Sequence, residues 1–84
     1  MKREEIIEKV VESMAVLGFD KNGDGGPVTE KTSLGETGMD SLDSIELVMA
    51  LEKCLIVDLY KESYTGDTTV GELADMIKRN GPWN

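Results

Sequence analysis

The chain has 84 residues, so we predict a single small domain, residues 1–84, with little room for a deep catalytic cleft. It carries 17 Asp and Glu against 9 Lys and Arg, which is a formal net charge of −8. This charge argues against nucleic acids and anionic membrane surfaces as partners, because both attract cationic proteins. It favours partner proteins with basic surfaces.

The sequence contains no histidine and one cysteine, Cys54. A Ser-His-Asp triad and a Cys-His pair are therefore impossible, so we predict a protein that is not an enzyme, and we assign no catalytic residue and no metal ligand. We expect Cys54 to be a buried structural thiol on an apolar helix face. A lone cysteine fits a reducing compartment, and the longest apolar run, residues 47–51, is far shorter than a membrane span. We expect a cytoplasmic monomer that does not insert into membranes.

The first half of the chain predicts one helix and one long loop. Apolar residues recur at helical spacing over residues 3–17, and Gly18 is a natural stop. Glycine, proline and polar side chains predict a loop over residues 19–37, with Val28 and Leu34 packed on the core.

The second half predicts the remaining helices. Residues 41–56 form a helix capped by Asp40 or Ser41, and residues 69–79 form the last helix, capped by Thr68 or Thr69 with Glu72 as capping-box partner. Residues 60–65 predict a short helix closed by Gly66. The predicted fold is an all-α four-helix bundle with three longer helices, one short helix and a long loop between helices 1 and 2. Trp83, after Gly81 and Pro82, either folds back on the bundle or frays.

Ser41 is the candidate functional residue. By position it is a helix cap, but the stretch Gly38-Met39-Asp40-Ser41-Leu42, followed by residues 43–52, resembles the attachment motif of the acyl carrier protein family. The resemblance covers about residues 28–79 and implies that 4′-phosphopantetheine from coenzyme A esterifies the Ser41 hydroxyl, with Asp40 and Leu42 flanking the attached group. The implied function is to hold acyl intermediates as thioesters on this arm and to deliver them to fatty-acid or polyketide biosynthesis enzymes. A helix start suits the resulting phosphodiester.

The predicted second helix is also the candidate partner-binding surface. Residues 18–66 hold ten acidic and four basic residues, so the middle of the chain is its acidic part. If Leu42, Leu47, Leu51 and Leu55 face the core, some of Ile45, Val48 and Met49 must be exposed among the acids. The resemblance implies docking onto basic patches of a phosphopantetheinyl transferase and of acyl-processing enzymes, through the following residues: Asp40, Asp43, Ile45, Glu46, Met49 and Glu52.

Three other functions fit the sequence. A D-alanyl or other aminoacyl carrier would use the same tether with another cargo. A calcium-binding module would use Asp20, Asn22 and Asp24, which are spaced like the start of an EF-hand loop, although Lys31 stands where that loop needs glutamate. A third possibility is an acidic adaptor with an unmodified Ser41.

Three residues differ from the pattern that the resemblance implies. Thr37 stands where leucine commonly precedes the motif glycine, Tyr60 replaces a frequent proline, and Asp67 falls where an apolar residue commonly lines the bundle. These differences leave the serine motif intact and bear on the length of acyl chain that the core can shelter.

Overall fold

The computed structural model describes residues 1–82, which fold into three α-helices and one 3₁₀ helix. Helix α1 is Arg3–Val16, the 3₁₀ helix is Leu34–Thr37, α2 is Ser41–Leu55 and α3 is Val70–Asn80. Among these residues, β pairing is limited to two isolated bridges. The predicted all-α class is confirmed, and Trp83 lies outside the described residues.

Helix α1 packs on both other helices through a stripe at helical spacing. Ile6, Val10 and Met14 have no exposed surface. The helix ends at Val16, and Gly18 follows the C-cap Leu17 with a φ of 95°, a left-handed conformation that glycine adopts without a steric penalty. The N–H of Phe19 then donates to the Met14 carbonyl at 2.8 Å, which closes the helix end as predicted.

The loop after α1 is fastened to the start of α3. The N–H groups of Val70 and Gly71 donate to the carbonyls of Thr32 and Glu30, at 2.9 and 2.8 Å. On the surface, Arg3 bridges the carboxylates of Glu30 and Asp75, at 2.7 Å each. Leu34 is fully buried and Val28 packs against the core, so both predicted anchors of the loop are confirmed.

Helix α2 buries a narrower stripe than its apolar residues suggest. Leu47, Val48, Leu51 and Leu55 are buried, whereas Leu42 is 69% exposed, so its expected place in the core is wrong. Cys54 is exposed, and the expectation of a buried thiol is also wrong. Both residues lie beside the stripe that faces the core, and Cys54 instead lines a groove between the C-terminal ends of α1 and α2.

Helix α3 begins and packs as its sequence predicts. Thr69 is the N-cap, and its hydroxyl accepts from the Glu72 N–H while the Glu72 carboxylate accepts from the Thr69 N–H. Val70, Leu73, Ala74 and Ile77 are fully buried. None of the helices within residues 1–82 has the length and apolar content needed to cross a membrane.

The short helix predicted at residues 60–65 is absent, and this part of the prediction is wrong. The segment between α2 and α3 contains turns but no helix. The Asp58 carboxylate accepts from the Tyr60 N–H, and the Glu62 side chain reaches Arg79 and Asn80 on α3. A short helix carries a high nucleation cost, and these contacts stabilise an irregular path instead.

Candidate functional site

The start of α2 is built by two aspartates that cap each other. Asp40 is the N-cap, and its carboxylate accepts from the Asp43 N–H at 2.9 Å. The Asp43 carboxylate accepts in return from the Asp40 N–H at 3.0 Å. Asp40 is therefore the cap, and Ser41 is the first residue of the helix.

This capping also sets the charge beside Ser41. The hydrogen bond from the Asp43 N–H lowers the pKa of the Asp40 carboxyl from its ordinary value. A carboxylate with a lowered pKa is a weak base. Asp40 is thus suited to stabilise the helix start rather than to take a proton from its neighbour.

The Ser41 side chain is exposed and unengaged. Within residues 1–82, neither its hydroxyl nor its backbone N–H makes a hydrogen bond. The start of α3 is different, because the first N–H groups there donate to Thr32, Glu30 and the Thr69 hydroxyl. The positive end of α2 therefore keeps a free donor next to a free hydroxyl, which is an arrangement that suits a phosphate group.

The residues before Ser41 hold this helix start in place. Leu34 is buried, and the Thr37 hydroxyl donates to the Leu34 carbonyl at 2.7 Å, which closes the 3₁₀ helix. Gly38 follows with a φ of 94°, a conformation that disfavours residues with a side chain. Met39 is then buried in the core, so the chain is anchored immediately before Asp40 and Ser41.

An open groove of about 340 Å³ lies beside Ser41. One wall is formed by the start of α2 and the two residues before it, and the other by the segment that precedes α3. The lining residues are Met39, Asp40, Ser41, Ser44, Ile45, Tyr64, Thr65 and Gly66. The groove thus offers apolar surface together with hydroxyl and backbone groups, which suits a flexible ligand of mixed polarity.

Helix α2 presents an exposed apolar stripe among acidic residues. Leu42, Ile45 and Met49 are 69, 45 and 56% exposed, and their spacing of three and four residues places them on one face. Glu46 is exposed on the same part of the helix, and Asp43 is half-buried. The structure therefore brings together Leu42, Asp43, Ile45, Glu46 and Met49, while Val48 is buried.

Glu52 differs from the other acidic residues of α2. It is half-buried, and its carboxylate accepts from the Leu59 N–H at 2.9 Å. Its backbone carbonyl also accepts from the Val57 N–H at 3.2 Å. Glu52 therefore fastens the chain after α2, and this carboxylate oxygen is already used within the protein.

The wall opposite Ser41 carries residues that sequence reasoning missed. Tyr64, Thr65 and Gly66 are more than twenty positions from Ser41, and no local pattern connects them to it. Gly66 reaches the site because its carbonyl accepts from the Gly35 N–H at 2.8 Å. Met39 and Ser44 could have been identified, since both lie within the quoted motif or directly after it.

The loop that resembles an EF-hand start is closed by its own side chains. Asp24 accepts from the Gly26 N–H at 2.8 Å, and the Asn22 amide donates to the Pro27 carbonyl at 3.0 Å. Asp20 is exposed. Across residues 1–82, no three His, Cys, Asp or Glu side chains are grouped closely enough to hold a metal ion.

Comparison with known proteins agrees with the site geometry. A family model described as "Phosphopantetheine attachment site" matches residues 14–77. The acyl carrier protein of Prochlorococcus marinus (strain MIT 9515) is 33% identical over 79 residues, which cover 93% of this chain and 95% of that protein.

Chloroplast proteins match as well. Acyl carrier protein 2, chloroplastic, of Spinacia oleracea is 38% identical over 72 residues, 86% of this chain and 52% of that protein. The chloroplastic acyl carrier protein of Brassica napus is 34% identical over 73 residues, 87% of this chain and 51% of that protein. The chain thus spans about half the length of these chloroplast relatives, and no solved structure gives a significant match. The family match and these relatives show that the chain belongs to the acyl carrier protein family, whose domain is the attachment site of phosphopantetheine.

Proposed function

We propose that this protein carries acyl groups on a 4′-phosphopantetheine arm attached to the Ser41 hydroxyl. The observation that carries the proposal is the exposed, unbonded Ser41 at the first position of α2, within the segment that matches the family model. When bound, the arm supplies a thiol that holds the acyl group as a thioester. The protein presents this arm and does no chemistry on the cargo.

The residues present fit such an arm. The free N–H of Ser41 and the helix dipole favour the phosphate, while Asp40 and Asp43 oppose it at an exposed position where salt screens the repulsion. Met39 and Ile45 offer apolar contact along the groove, and Ser44, Thr65 and the Gly66 backbone offer polar groups. The arm alternates methylene and amide groups, so it can use both apolar and polar contacts.

Loading transfers one phosphopantetheine group to the Oγ atom of Ser41. The Ser41 Oγ–H bond breaks as Oγ bonds to the phosphorus that bears the pantetheine, and the pyrophosphate bond of coenzyme A breaks with loss of the nucleotide. The proton needs a base. The chain has no histidine, and the pKa of the neighbouring Asp40 is lowered, so we assign that base to the transferase.

We further propose that α2 is the docking surface for the transferase and for acyl-processing enzymes. Its apolar stripe supplies contact area, and the surrounding acids favour partners with basic patches. The proposed docking residues are Leu42, Asp43, Ile45, Glu46 and Met49, with Glu52 at the far end. We propose that the carrier acts as a monomer, which leaves this helix face open to each partner in turn.

The reducing cytoplasm remains our proposed compartment. Cys54 is a free and exposed thiol, and an exposed thiol stays reduced most readily in a reducing setting. The pathway that we propose is fatty-acid or polyketide biosynthesis.

The test is the intact mass of the protein after incubation with coenzyme A and a broad-specificity phosphopantetheinyl transferase. We expect the wild type to gain the mass of one phosphopantetheine, and Ser41→Ala to gain none. Ser63→Ala is the matched control, since Ser63 is an exposed serine remote in sequence from the motif, and it should load fully. A wild-type protein that gains no mass would contradict the proposal.

A further inference from the structure

The irregular segment between α2 and α3 completes the core. Helices α2 and α3 make few direct contacts, whereas α1 packs on both. Val57 and Leu59, which are 7 and 2% exposed, contribute to the same core as α2 and α3. The position of this segment therefore depends on its own anchors rather than on a regular element.

One anchor lies at the end of the groove wall, at Gly66. The Gly35 N–H donates to the Gly66 carbonyl at 2.8 Å, and the Leu34 N–H donates to the Thr68 carbonyl at 2.9 Å. The two chains approach so closely that a Cβ on Gly35 would lie 3.1 Å from the Gly66 oxygen. This end of the wall is thus tied, backbone to backbone, to the 3₁₀ helix.

The other anchor is the Glu62 side chain. Its carboxylate accepts from Arg79 Nε at 2.7 Å, from Arg79 Nη2 at 2.5 Å and from the Asn80 amide at 2.6 Å. The Asn80 amide also donates to the Met76 carbonyl at 2.8 Å, so it is held in place on α3. The Glu62 side chain is 15% exposed, and its bidentate pairing is stronger and more directional than an ordinary surface ion pair.

Of the residues that form the groove wall, Tyr64 and Thr65 lie between these two anchors, and Gly66 belongs to the first anchor. Residues 60–65 otherwise make short-range turn bonds, such as that from the Thr65 N–H to the Thr68 hydroxyl at 2.9 Å. Tyr64 itself packs against the core, and the Glu62 side chain adds the hydrogen bonds that tie the front of the wall to α3.

We propose that Glu62 is a positioning residue of the carrier site, which acts through the Tyr64–Gly66 wall. The hydrogen bonds of Glu62 with Arg79 and Asn80 form a clasp that holds this wall opposite the start of α2. In that position the wall covers an arm attached to Ser41 and shields the thioester from water. Releasing the clasp lets the wall move away and exposes the thioester. The inference rests on the proposed attachment at Ser41.

The first experiment uses the unmodified protein. We compare Glu62→Ala, Arg79→Ala, the double variant and Glu8→Ala, a control that removes an exposed carboxylate from α1. Amide hydrogen exchange over residues 60–66 should rise about tenfold in either clasp variant, with no further rise in the double variant and no change in the control. Unchanged exchange in the clasp variants would overturn the proposal at this step.

The second experiment uses protein loaded with a short acyl group. Cleavage of the thioester by hydroxylamine should be roughly three- to tenfold faster in Glu62→Ala than in the wild type or Glu8→Ala, and Glu62→Gln, which keeps an acceptor oxygen, should restore part of the protection. If amide exchange rises in Glu62→Ala but the thioester is cleaved at the wild-type rate, the positioning role of Glu62 is overturned, while the proposed attachment at Ser41 still stands. A wild type that cannot be loaded would overturn the proposed function, and this inference with it.

Discussion

At the scale of single residues, the site depends on which polar groups are already bonded and which are free. Asp40 and Asp43 bond each other, and Thr37 bonds the Leu34 carbonyl, so these side chains shape the backbone. Ser41, between them, keeps both its hydroxyl and its N–H free among the described residues. A modification site needs this combination of a rigid surrounding and an unengaged nucleophile.

Glu52 provides a prediction at this scale. In Glu52→Ala the half-buried N–H of Leu59 loses its acceptor, which should lower the free energy of unfolding by about 1 kcal/mol. The same contact supports the turn at Ile56, whose φ of 53° is unfavourable for a β-branched residue. Urea unfolding followed by circular dichroism measures the change.

Glu46→Ala is the matched control for Glu52→Ala. It also removes a glutamate from α2, but Glu46 is exposed and should change the unfolding free energy by no more than about 0.5 kcal/mol. Equal stability of the two variants would show that the Glu52–Leu59 contact contributes nothing.

At the scale of elements, α2 has two faces with different tasks. The stripe of Leu47, Val48, Leu51 and Leu55 is buried, and it fixes the rotation of the helix about its axis. That rotation directs Leu42, Ile45 and Met49 outward, together with the acids. The same helix therefore supports the bundle and presents an amphipathic surface next to Ser41.

Charge reversal on this face tests its proposed role in docking. Glu46→Lys should lower kcat/KM for loading by the transferase roughly three- to tenfold at low salt, because it places a positive charge against a basic partner. The difference from the wild type should shrink as salt increases. Initial rates of mass gain at several salt concentrations measure both effects.

Glu8→Lys is the control for this reversal, since it makes the same change in net charge on α1. It should alter the loading rate much less than Glu46→Lys. If the two variants behave alike, the effect comes from the overall charge, and the assignment of α2 as the docking surface is wrong.

At the scale of the whole molecule, opposite effects of acid pH compete. Lowering the pH neutralises part of the net charge of −8, which reduces self-repulsion. It also protonates carboxylates that are bonded in the folded protein. The N–H of Asp43 lowers the pKa of Asp40, and hydrogen bonds from Arg79, then Asn80, lower the pKa of Glu62.

The pH dependence follows from the direction of these shifts. A carboxyl whose pKa is lower in the folded state stabilises the fold at neutral pH, and this stabilisation is lost as the pH falls through the folded pKa. When about 0.5 M salt screens the charge repulsion, the Tm should decrease as the pH is lowered past ~4. Asp40→Asn and Glu62→Gln should start with a lower Tm at pH 7 and lose less on acidification. Parallel curves for the wild type and both variants would contradict this prediction.

The sequence by itself determined what depends on neighbouring residues in the chain. The positions of the three helices follow from apolar spacing, from Gly18 as a stop and from the capping pair Thr69 and Glu72. The motif around Ser41 could also be recognised from the sequence, because the cap, the proposed attachment residue and the proposed docking helix are contiguous. Local interactions set all of these features, so a single sequence suffices to predict them.

Only the tertiary structure decided what depends on contacts between distant segments. The periodicity of α2 could not tell which side of a broad apolar face would be covered, so Leu42 and Cys54 were placed in the core although both are exposed. The helix predicted at residues 60–65 gave way to contacts with α3, seventeen and eighteen positions away. The groove beside Ser41 arises in the same way, since its second wall reaches the site through the pairing of Gly35 with Gly66. Packing and long-range hydrogen bonds outweigh local propensity in these places, because they bury surface and satisfy polar groups that the local sequence leaves free.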